Sequence, residues 1–446
     1  MNFEQSLEYL LSLGFELSVK KFGLENTTVL LEALGNPERG FLKVQIAGTN
    51  GKGSTCAFLE SICLAAGLKV GVNTSPHLVS ITERVRIGGN DISEEEFARL
   101  ATHVKKVSEE LVRDGRLQAL PTYFEHVTAI ALTAFAEAGV DIAILETGLG
   151  GRFDAVTAAN SEIAGITPID MDHVKTLGPT LADIAGEKAA VIRPGVAVAI
   201  SAQTDIPALV LSERCVETGV KPRFASEIRI EAKPPERFGD SNVSGETVIV
   251  AADADEIGTV RLGLAGKHQI ENARTAVLLA RMVSERGISI PDSAVLSGIS
   301  SARHPGRLEF SNGVLFDGAH NEAGALVLRE YLEQNIEKRL TILFAAMGGK
   351  DVSKMARILF GLAESVIVTT PENPRAMPSS EIAEVVQNAL PDLSVSAIDD
   401  IGDAFEEGLR RAGDGLLLVT GSLYLIGEIK AWIAGNEMRF RTHRKV

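Results

Sequence analysis

Short apolar runs recur along this chain, and each ends in a glycine or polar turn that leads into a longer stretch of helical periodicity. In the first part of the chain the runs are KVQIAG, VDIAILE, EIAGIT and VAVAIS. Strands that are apolar at nearly every position are typical of a parallel sheet with helices on both faces. The pattern therefore predicts an α/β fold whose first domain is a mostly parallel sheet of the phosphate-loop type.

The same alternation begins again after residue 300, which predicts a second domain. Its runs are GVLFDG, LTILFAAM, SVIVTT, LSVSAID and LLLVTG. The segment GISSARHPGRLEF before them has the serine, proline and glycine of a linker. We therefore predict one domain at residues 1–300 and a smaller, Rossmann-like α/β domain at residues 301–446. Residues 221–262 break the alternation, with a loop at 233–246 between two predicted strands, and we interpret them as an irregular tail of the first domain.

Composition limits the ligands that such a chain can bind. The formal net charge is −15 and the pI is near 5.2, which argues against a general nucleic-acid binder. The three cysteines, Cys56, Cys63 and Cys215, form neither a CxxC pair nor a disulfide framework. No basic leader or long apolar span is present in the sequence. These features predict a soluble cytoplasmic protein with no membrane partner.

Residues 44–55, VQIAGTNGKGST, join an apolar run to a glycine-rich loop with a central lysine. Between a strand and a helix, backbone amides point outward and bind anions, glycines allow phosphates to approach, and Lys52 adds positive charge. The spacing departs from GxxxxGK[ST], because Ile46 stands at the first glycine and Gly53 follows the lysine. The alternative is a glycine-rich turn with an exposed lysine. The predicted phosphate-binding residues are Gly48, Thr49, Asn50, Gly51, Lys52, Gly53 and Ser54.

Several motifs in fixed order extend this pattern over nearly the whole chain. They are GTNGKGS, NTSPHL, LGNPERG, TYFEHVTAIA, ILETGLGGRFDA, DMDHVKTLGPTLADIAGEKAAVI, GKHQIENARTA, HPGRLE, FDGAHN and GSLYLIGE. Taken together, they resemble the folylpolyglutamate synthase/dihydrofolate synthase family of the Mur ligase superfamily. The resemblance implies ATP as co-substrate, Mg²⁺ at two sites and a monomeric protein.

Candidate metal ligands follow the ends of predicted strands, where ligand sites of open α/β sheets gather. By resemblance, Ser75, Glu146 and His173 match metal-binding positions, and oxygen donors suit Mg²⁺. The alternatives are a loop histidine and a serine that caps a helix before Pro76. The lysine that matches Lys188 is carboxylated in the family, so the resemblance implies that Lys188 acts in catalysis and binds a second Mg²⁺. A snorkelling lysine, or one paired with a nearby carboxylate, is the alternative.

The pterin-bearing substrate is implied, by resemblance, to lie along two motifs. Phenylalanine faces can stack on a flat heterocycle and a carboxylate can accept from its N–H groups. The alternative is that both phenylalanines are core residues. Val156 and Thr157 stand where the family has Thr and Asn, and no arginine lies near Asn26. The implied pterin residues are Thr122, Tyr123, Phe124, Glu125, Phe153, Asp154 and Ala155.

The second domain and the end of the first supply the remaining contacts that the resemblance implies. Asn272, expected to open a helix, could read the adenine edge, and Arg307 could reach the triphosphate bidentately. Asp317 matches a nucleotide contact, and an ion pair between Arg307 and Asp317 across the domains is a compatible alternative. His320 matches a position beside the phosphates and the incoming amino acid, and Ser422 matches one that holds the amino acid. Glu322 departs from the proline usual at its position.

These residues together predict an ATP-driven ligase that makes an acyl phosphate and passes it to the α-amine of L-glutamate. Lys52 and Arg307 would offset charge during phosphoryl transfer. The acceptor could be a reduced folate, dihydropteroate or both. Two other classes stay open: another Mur-type amino-acid ligase, and a phosphate-loop ATPase that forms no amide.

Overall fold

The computed structural model describes residues 1–14, 23–232, 246–252, 255–311 and 313–435. The strands of its first sheet are β1 (Leu42–Ala47), β2 (Val70–Asn73), β3 (Val85–Ile87), β4 (Asn90–Asp91), β5 (Ile142–Glu146), β6 (Ile163–Ile166), β7 (Ala197–Ile200) and β8 (Arg223–Phe224). Their order is β4-β3-β2-β5-β1-β6-β7-β8. All neighbours from β2 to β8 are parallel, and only β3 and β4 form an antiparallel edge. The predicted mostly parallel sheet is confirmed.

Helices cover both faces of this sheet. They are α1 (Phe3–Ser12), α2 (Glu25–Ala33), α3 (Lys52–Ala65), α4 (Glu94–Arg113), α5 (Tyr123–Ala138), α6 (Val174–Leu177), α7 (Leu181–Ala189), α8 (Asp205–Thr218), α9 (His268–Ser284) and α10 (Asp292–Ser301). Alternate residues of a strand face opposite sides. Ile142 and Ile144 of β5 therefore join the core under α3, α9 and α10, whereas Ala143 and Leu145 join the core under α4 and α5.

Residues 221–262 correct one prediction. Their described part is not an irregular tail but carries an antiparallel sheet of β9 (Arg229–Ala232), β10 (Thr247–Ala252) and β11 (Asp255–Arg261) in the order β11-β10-β9. Ile230, Val248 and Val250 are buried in the same core as α9, which explains why these strands form a sheet against that helix. Apart from Glu246, the predicted loop at 233–246 lies outside the described residues.

The second sheet has one antiparallel edge strand on a parallel core. Its strands are β12 (Glu309–Ser311), β13 (Val314–Asp317), β14 (Leu340–Phe344), β15 (Ser365–Val368), β16 (Val395–Ala397) and β17 (Leu416–Thr420), in the order β12-β13-β17-β14-β15-β16. Its helices are α11 (Glu322–Asn335), α12 (Val352–Leu359), α13 (Ser379–Ala389), α14 (Ile401–Ala412) and α15 (Leu423–Ile433). Ile342 and Phe344 face one core and Leu343 the other, so the predicted α/β character of this region is confirmed.

Several connections form short 3₁₀ turns, at Pro37–Gly40, Ile81–Arg84, Ala155–Ala159, Ala225–Glu227 and Phe360–Leu362. The predicted domain boundary at residues 300/301 falls at the end of α10, eight residues before β12, and it stays a prediction. Among the described helices, none is both long and apolar enough to cross a bilayer. The cytoplasmic location and the monomeric state also stay predictions.

Candidate active site

A cavity of about 350 Å³ lies between the two sheets, at the carboxyl ends of β1, β5, β6 and β13. Parallel strands bring the loops that follow them to one edge of a sheet, so residues distant in sequence meet here. The predicted site residues that line the cavity are Gly48, Thr49, Asn50, Gly51, Lys52, Gly53, Ser54, Ser75, Glu146, His173, Lys188, Asn272, Arg307, Asp317 and His320. The structure thus brings the predicted nucleotide and metal residues together across the two parts of the chain.

The phosphate loop connects β1 directly to α3. Gly51 is the N-cap of α3 and has a left-handed φ of 87°, and a Cβ there would overlap the Asn272 side chain. The Lys52 ammonium donates to the carbonyl oxygens of Gly48 at 3.2 Å and Thr49 at 3.1 Å. The lysine side chain therefore folds back over its own loop, where a bound phosphate could compete for its protons.

Lys188 lies under the same loop. It is only 6% exposed, and its Nζ donates to the Gly48 carbonyl oxygen at 2.7 Å. Burial, and next the charge of Lys52, lower the pKa of Lys188 to about 7. The nearby carboxylates have other partners, because Asp183 caps α7 through Thr180 and Glu187 pairs with Arg152 at 2.9 Å. A buried lysine rather than a snorkelling or ion-paired one is therefore present, and much of its amine is neutral at neutral pH.

Glu146 ends β5 and holds the loop that carries Ser75. Its Oε2 accepts from the Ser75 backbone N–H at 3.0 Å, and burial raises the pKa of this carboxyl group although Lys52 lowers it. The residues directly after Pro76 are all described and form no helix, so Ser75 is not the helix cap that was the alternative. A buried carboxylate beside a hydroxyl is a donor pair that a divalent cation would stabilise.

His173 lies in the turn after β6 with a left-handed φ of 50° and precedes α6. Burial lowers its pKa to about 4, against the opposing effect of Asp172. The ring Nε2 is 3.8 Å from Asp172 Oδ2, so the histidine faces the cavity but also has a carboxylate neighbour. The loop-histidine alternative therefore stays open.

Asp172 is a cavity residue that sequence reasoning missed. Its Oδ1 accepts from Lys350 Nζ at 2.6 Å, and its Oδ2 lies 3.8 Å from His320 Nε2. Lys350 and His320 both belong to the part of the chain that forms the second sheet. Burial opposes ionisation, yet the neighbouring His320, His173 and Lys350 hold the pKa of Asp172 well below its usual range. The available signal was the acidic residue directly before His173 in a strand-to-helix turn.

Asn272 lies in the second turn of α9, because the helix begins at His268 rather than at Asn272 as predicted. It is 4% exposed, and its Nδ2 donates to Gln269 Oε1 at 2.9 Å. Gln269 Nε2 in turn donates to Ser54 Oγ at 3.2 Å. The amide of Asn272 is therefore linked to the first turn of α3, and Gln269 is a second cavity residue that sequence reasoning missed.

His304, from the linker, is a third cavity residue that sequence reasoning missed. Its Nδ1 is 3.3 Å from Ser54 Oγ, and its ring lies against Gly53. Burial, and next the charge of Arg307, lower the pKa of His304 to about 3, so the imidazole is neutral at pH 7. His304 is the first residue of the HPGR motif that ends in Arg307, and this membership was the only signal for it in the sequence.

Gly53→Ala should weaken ATP binding, because an added Cβ would lie 2.6 Å from His304 Cε1 and 2.9 Å from Nε2. Overpacking costs about 1–3 kcal/mol, which corresponds to a Kd increase of roughly 5- to 150-fold. Calorimetric titration with ATP measures the Kd. Gly361→Ala, where the Cβ meets nothing within 4 Å, is the control. Adding His304→Ala to Gly53→Ala should recover affinity, and equal affinities of the single and double variants would contradict the contact.

The second sheet contributes Asp317 and the turn that follows it. Asp317 Oδ2 accepts from the Leu308 N–H at 3.0 Å and Oδ1 from the Ala319 N–H at 2.9 Å. Burial raises the pKa of Asp317, and the charge of Arg307 acts against this. His320 Nδ1 lies 2.8 Å from the Gly318 carbonyl oxygen. The turn is thus fixed by backbone contacts, with the His320 ring at the cavity.

Ser422 and Glu322 lie outside the cavity lining. Ser422 caps α15, where its Oγ accepts from the Tyr424 N–H at 3.1 Å, and it is 2% exposed. Glu322 begins α11 and pairs with Lys354 at 3.0 Å on the surface. The departure at Glu322 therefore places a surface ion pair next to the turn and leaves the turn intact.

The implied pterin residues form a group beside the cavity rather than in its lining. Thr122 and Glu125 form the capping box of α5, and Glu125 also accepts from Thr27 at 3.0 Å. Asp154 is fully buried and accepts from the backbone N–H groups of Leu149 and Val156. The carboxylates of Glu125 and Asp154 therefore stabilise the backbone segments in which they lie.

The aromatic members of this group differ in burial. Tyr123 is 5% exposed and Phe124 packs partly into the core under α5, whereas Phe153 is 40% exposed. Thr157, one of the departures, donates to the Gly151 carbonyl oxygen at 2.7 Å and accepts from Gln45 at 2.7 Å. The core alternative therefore fits Phe124 better than Phe153, and Thr157 stabilises the loop on which Phe153 lies.

Comparison with known proteins agrees with this arrangement. Residues 46–280 match the family model of the Mur ligase middle domain, and residues 308–432 match that of the dihydrofolate synthetase C-terminal domain. The chain is 34% identical over 420 residues to the dihydrofolate synthase/folylpolyglutamate synthase of Bacillus subtilis, with 92% of this chain and 94% of that protein covered.

Two solved structures are also similar. The Mycobacterium tuberculosis folylpolyglutamate synthase complexed with ADP has a TM-score of 0.86 at 30% identity, covering 97% of this chain and 99% of its own. Escherichia coli FolC in complex with DHPP and ADP has a TM-score of 0.83 at 27% identity, covering 98% and 99%. The chain therefore belongs to the dihydrofolate synthase/folylpolyglutamate synthase family of the Mur ligase superfamily.

Proposed function

We propose that the protein is an ATP-dependent ligase that attaches L-glutamate to reduced folates and to dihydropteroate. One observation carries the proposal: the phosphate loop and buried Lys188 of the first part face Arg307, Asp317 and His320 of the second across a single cavity. A cavity lined from both sides can bring the phosphates of a nucleotide to the reacting groups of the other two substrates. Relatives named for this activity, over nearly their whole length, support it.

The chemistry requires activation, because a carboxylate is a poor acyl donor. Transfer of the γ-phosphoryl group of ATP would give an acyl phosphate, and the amine of glutamate would then displace phosphate from it. Lys52 and Arg307 would stabilise the charge that develops during transfer. His320, held near Asp172, would face the attacking amine and accept its proton.

Mg²⁺ fits part of the predicted ligand set. The buried Glu146 carboxylate and the Ser75 hydroxyl are oxygen donors of the kind it prefers. Within the described ranges, no group of three or more His, Cys, Asp and Glu residues forms a ready-made metal site, so phosphate oxygens would have to complete the coordination. When bound, the ion supplies positive charge next to the transferred phosphoryl group. A second ion would require Lys188 in its carboxylated form.

The exposed ring of Phe153 would stack on the pterin. Phe153→Ala should raise the KM for the pterin substrate about 10- to 100-fold with little change in kcat, because stacking contributes equally to ground and transition states. Steady-state kinetics at saturating ATP and glutamate measures this change. Phe224→Ala is a matched control, since Phe224 is 50% exposed and lies on β8, the edge strand of the first sheet. An unchanged KM would remove Phe153 from the pterin site.

The deciding experiment incubates the protein with Mg-ATP, L-glutamate and either dihydropteroate or tetrahydrofolate, and follows ADP release and product mass. A glutamyl increment on both acceptors is the expected result. An increment on tetrahydrofolate alone would restrict the enzyme to chain extension. ADP release with no increment on either acceptor would contradict the proposal and favour another Mur-type ligase or an ATPase.

A further inference from the structure

The loop that carries Ser75 also contacts the second domain. Leu78, three residues beyond Ser75, packs against the hydrophobic core beneath α15, next to Leu423 and Ile426. A Cβ on Gly306 of the linker would lie 3.6 Å from Leu78 Cδ1 and 3.5 Å from Ile426 Cγ2. We call this contact, formed by Leu78, Gly306, Leu423, Ile426 and Gly427, the interdomain seat.

The loop presents Leu78 rigidly. The carboxylate of Glu83 accepts hydrogen bonds from the backbone N–H groups of Leu78 at 2.7 Å, Val79 at 2.8 Å and Ser80 at 2.8 Å. At the other end of the loop, the Ser75 N–H donates to Glu146 Oε2 at 3.0 Å. Three charge-assisted bonds to one carboxylate make the loop stiff, so a displacement of Leu78 is transmitted to Ser75 and Glu146.

Gly427 is the member of the seat that the fold of α15 does not explain. It lies inside the helix, where alanine is intrinsically preferred, and its φ is not left-handed. A Cβ at this position would overlap the Leu78 carbonyl oxygen and lie 2.7 Å from the Leu78 carbonyl carbon. These atoms are backbone atoms of a braced loop and cannot rotate away. The glycine is therefore required by the approach of the two domains and not by the helix.

We propose that Gly427 and Leu78 are positioning residues that set the distance between the second domain and the Ser75–Glu146 edge of the active site. Ser422, the N-cap of α15, lies five residues before Gly427 on the same helix. A Cβ at 427 would push α15, and with it the turn that bears His320, away from the phosphate loop. Because misplacement of reacting groups by about 1 Å can cost about 100-fold in rate, this one methyl group should separate folding from catalysis. The inference rests on the proposed ligase function.

The test compares Gly427→Ala with Gly361→Ala, whose Cβ meets nothing within 4 Å and which lies in the same domain. We expect Gly427→Ala to lose about 100-fold in kcat with only a small fall in Tm, because the helix preference of alanine offsets part of the overpacking cost, while Gly361→Ala keeps wild-type kcat. Leu78→Ala, which removes the side chain but leaves the backbone contact, should lose less than Gly427→Ala. A wild-type kcat in Gly427→Ala, or an equal loss of kcat in Gly361→Ala, would overturn the inference.

An independent readout follows the domain distance directly. Spin labels on Glu95→Cys and Glu384→Cys, one exposed residue in each part, report it selectively because the native Cys56, Cys63 and Cys215 are buried. With Mg-ATP bound, Gly427→Ala should show a longer distance than the wild type, and an unchanged distance would overturn the inference. If the wild type itself forms no glutamyl product, the proposed function fails while the distance measurement still decides whether the seat exists.

Discussion

Arg307→Ala should lower the rate of glutamate ligation about 10³-fold while the phosphate loop still binds ATP. A guanidinium that neutralises a transferring phosphoryl group contributes about this much. Arg307 is placed for such a role, because burial raises the pKa of Glu146 and of Asp317 on opposite sides of the cavity and the charge of Arg307 opposes both shifts. Ligation followed by product mass, beside ATP affinity measured by calorimetry, separates the two effects.

Two variants sharpen the Arg307 experiment. Arg303→Ala is the matched control, since Arg303 belongs to the same linker but is exposed and donates to the carbonyl oxygen of its neighbour Ala302 at 2.8 Å. Arg307→Lys keeps the charge without the bidentate geometry, and it should fall between the wild type and Arg307→Ala. A ligase rate unaffected by Arg307→Ala would contradict the assigned role. ATP hydrolysis that persists in all variants without any amide product would favour an ATPase.

Lys188→Met should abolish ligation and, at the same time, stabilise the fold. The pKa of Lys188 is about 7 in the folded protein, against an ordinary value of 10.5. Between these two values the unfolded chain binds more protons, so the buried lysine costs stability that increases as the pH falls from 10.5 to 7 and then stays constant. When Lys188 carries a free amine, Lys188→Met should raise the free energy of unfolding by a few kcal/mol near pH 7, and this difference should shrink toward pH 10.

Carboxylation of Lys188 can be tested with the same variant. The neutral amine that reacts with carbon dioxide is abundant because of the low pKa, so native mass spectrometry in bicarbonate buffer should show an increment of one carbon dioxide on the wild type and none on Lys188→Met. Lys106→Met, at an exposed position of α4, is the control for both measurements. A wild-type protein that is equally active with and without carbon dioxide would contradict the modified lysine, and a Lys188→Met variant with wild-type activity would remove Lys188 from catalysis.

Much of the fold could be predicted from local pattern. Apolar runs such as KVQIAG and LTILFAAM became buried parallel strands, because a strand covered on both faces must be apolar at successive positions. The phosphate loop was equally readable, because glycines and a lysine at a strand-to-helix turn supply the free amides and the positive charge that bind a phosphate. The segment at 221–262 was misread because it interrupts the strand-helix alternation of the first domain, whereas its antiparallel strands are held as a sheet by burial against α9.

The candidate site also contains residues that a local motif predicts and residues that only the packing reveals. Sequence alone predicted candidate residues whose chemistry is local to a motif and which line the cavity, such as Lys52 after its glycines and Glu146 at the end of β5. It missed Asp172, His304 and Gln269, whose roles depend on what packs beside them. Nothing in the letters HPGR shows that the histidine lies against Gly53, and nothing in GSLYLIGE shows that the helix glycine faces Leu78. A sequence records the chemistry each residue offers, whereas the pKa of Lys188 and the need for glycine at 427 depend on neighbours brought close by long-range packing.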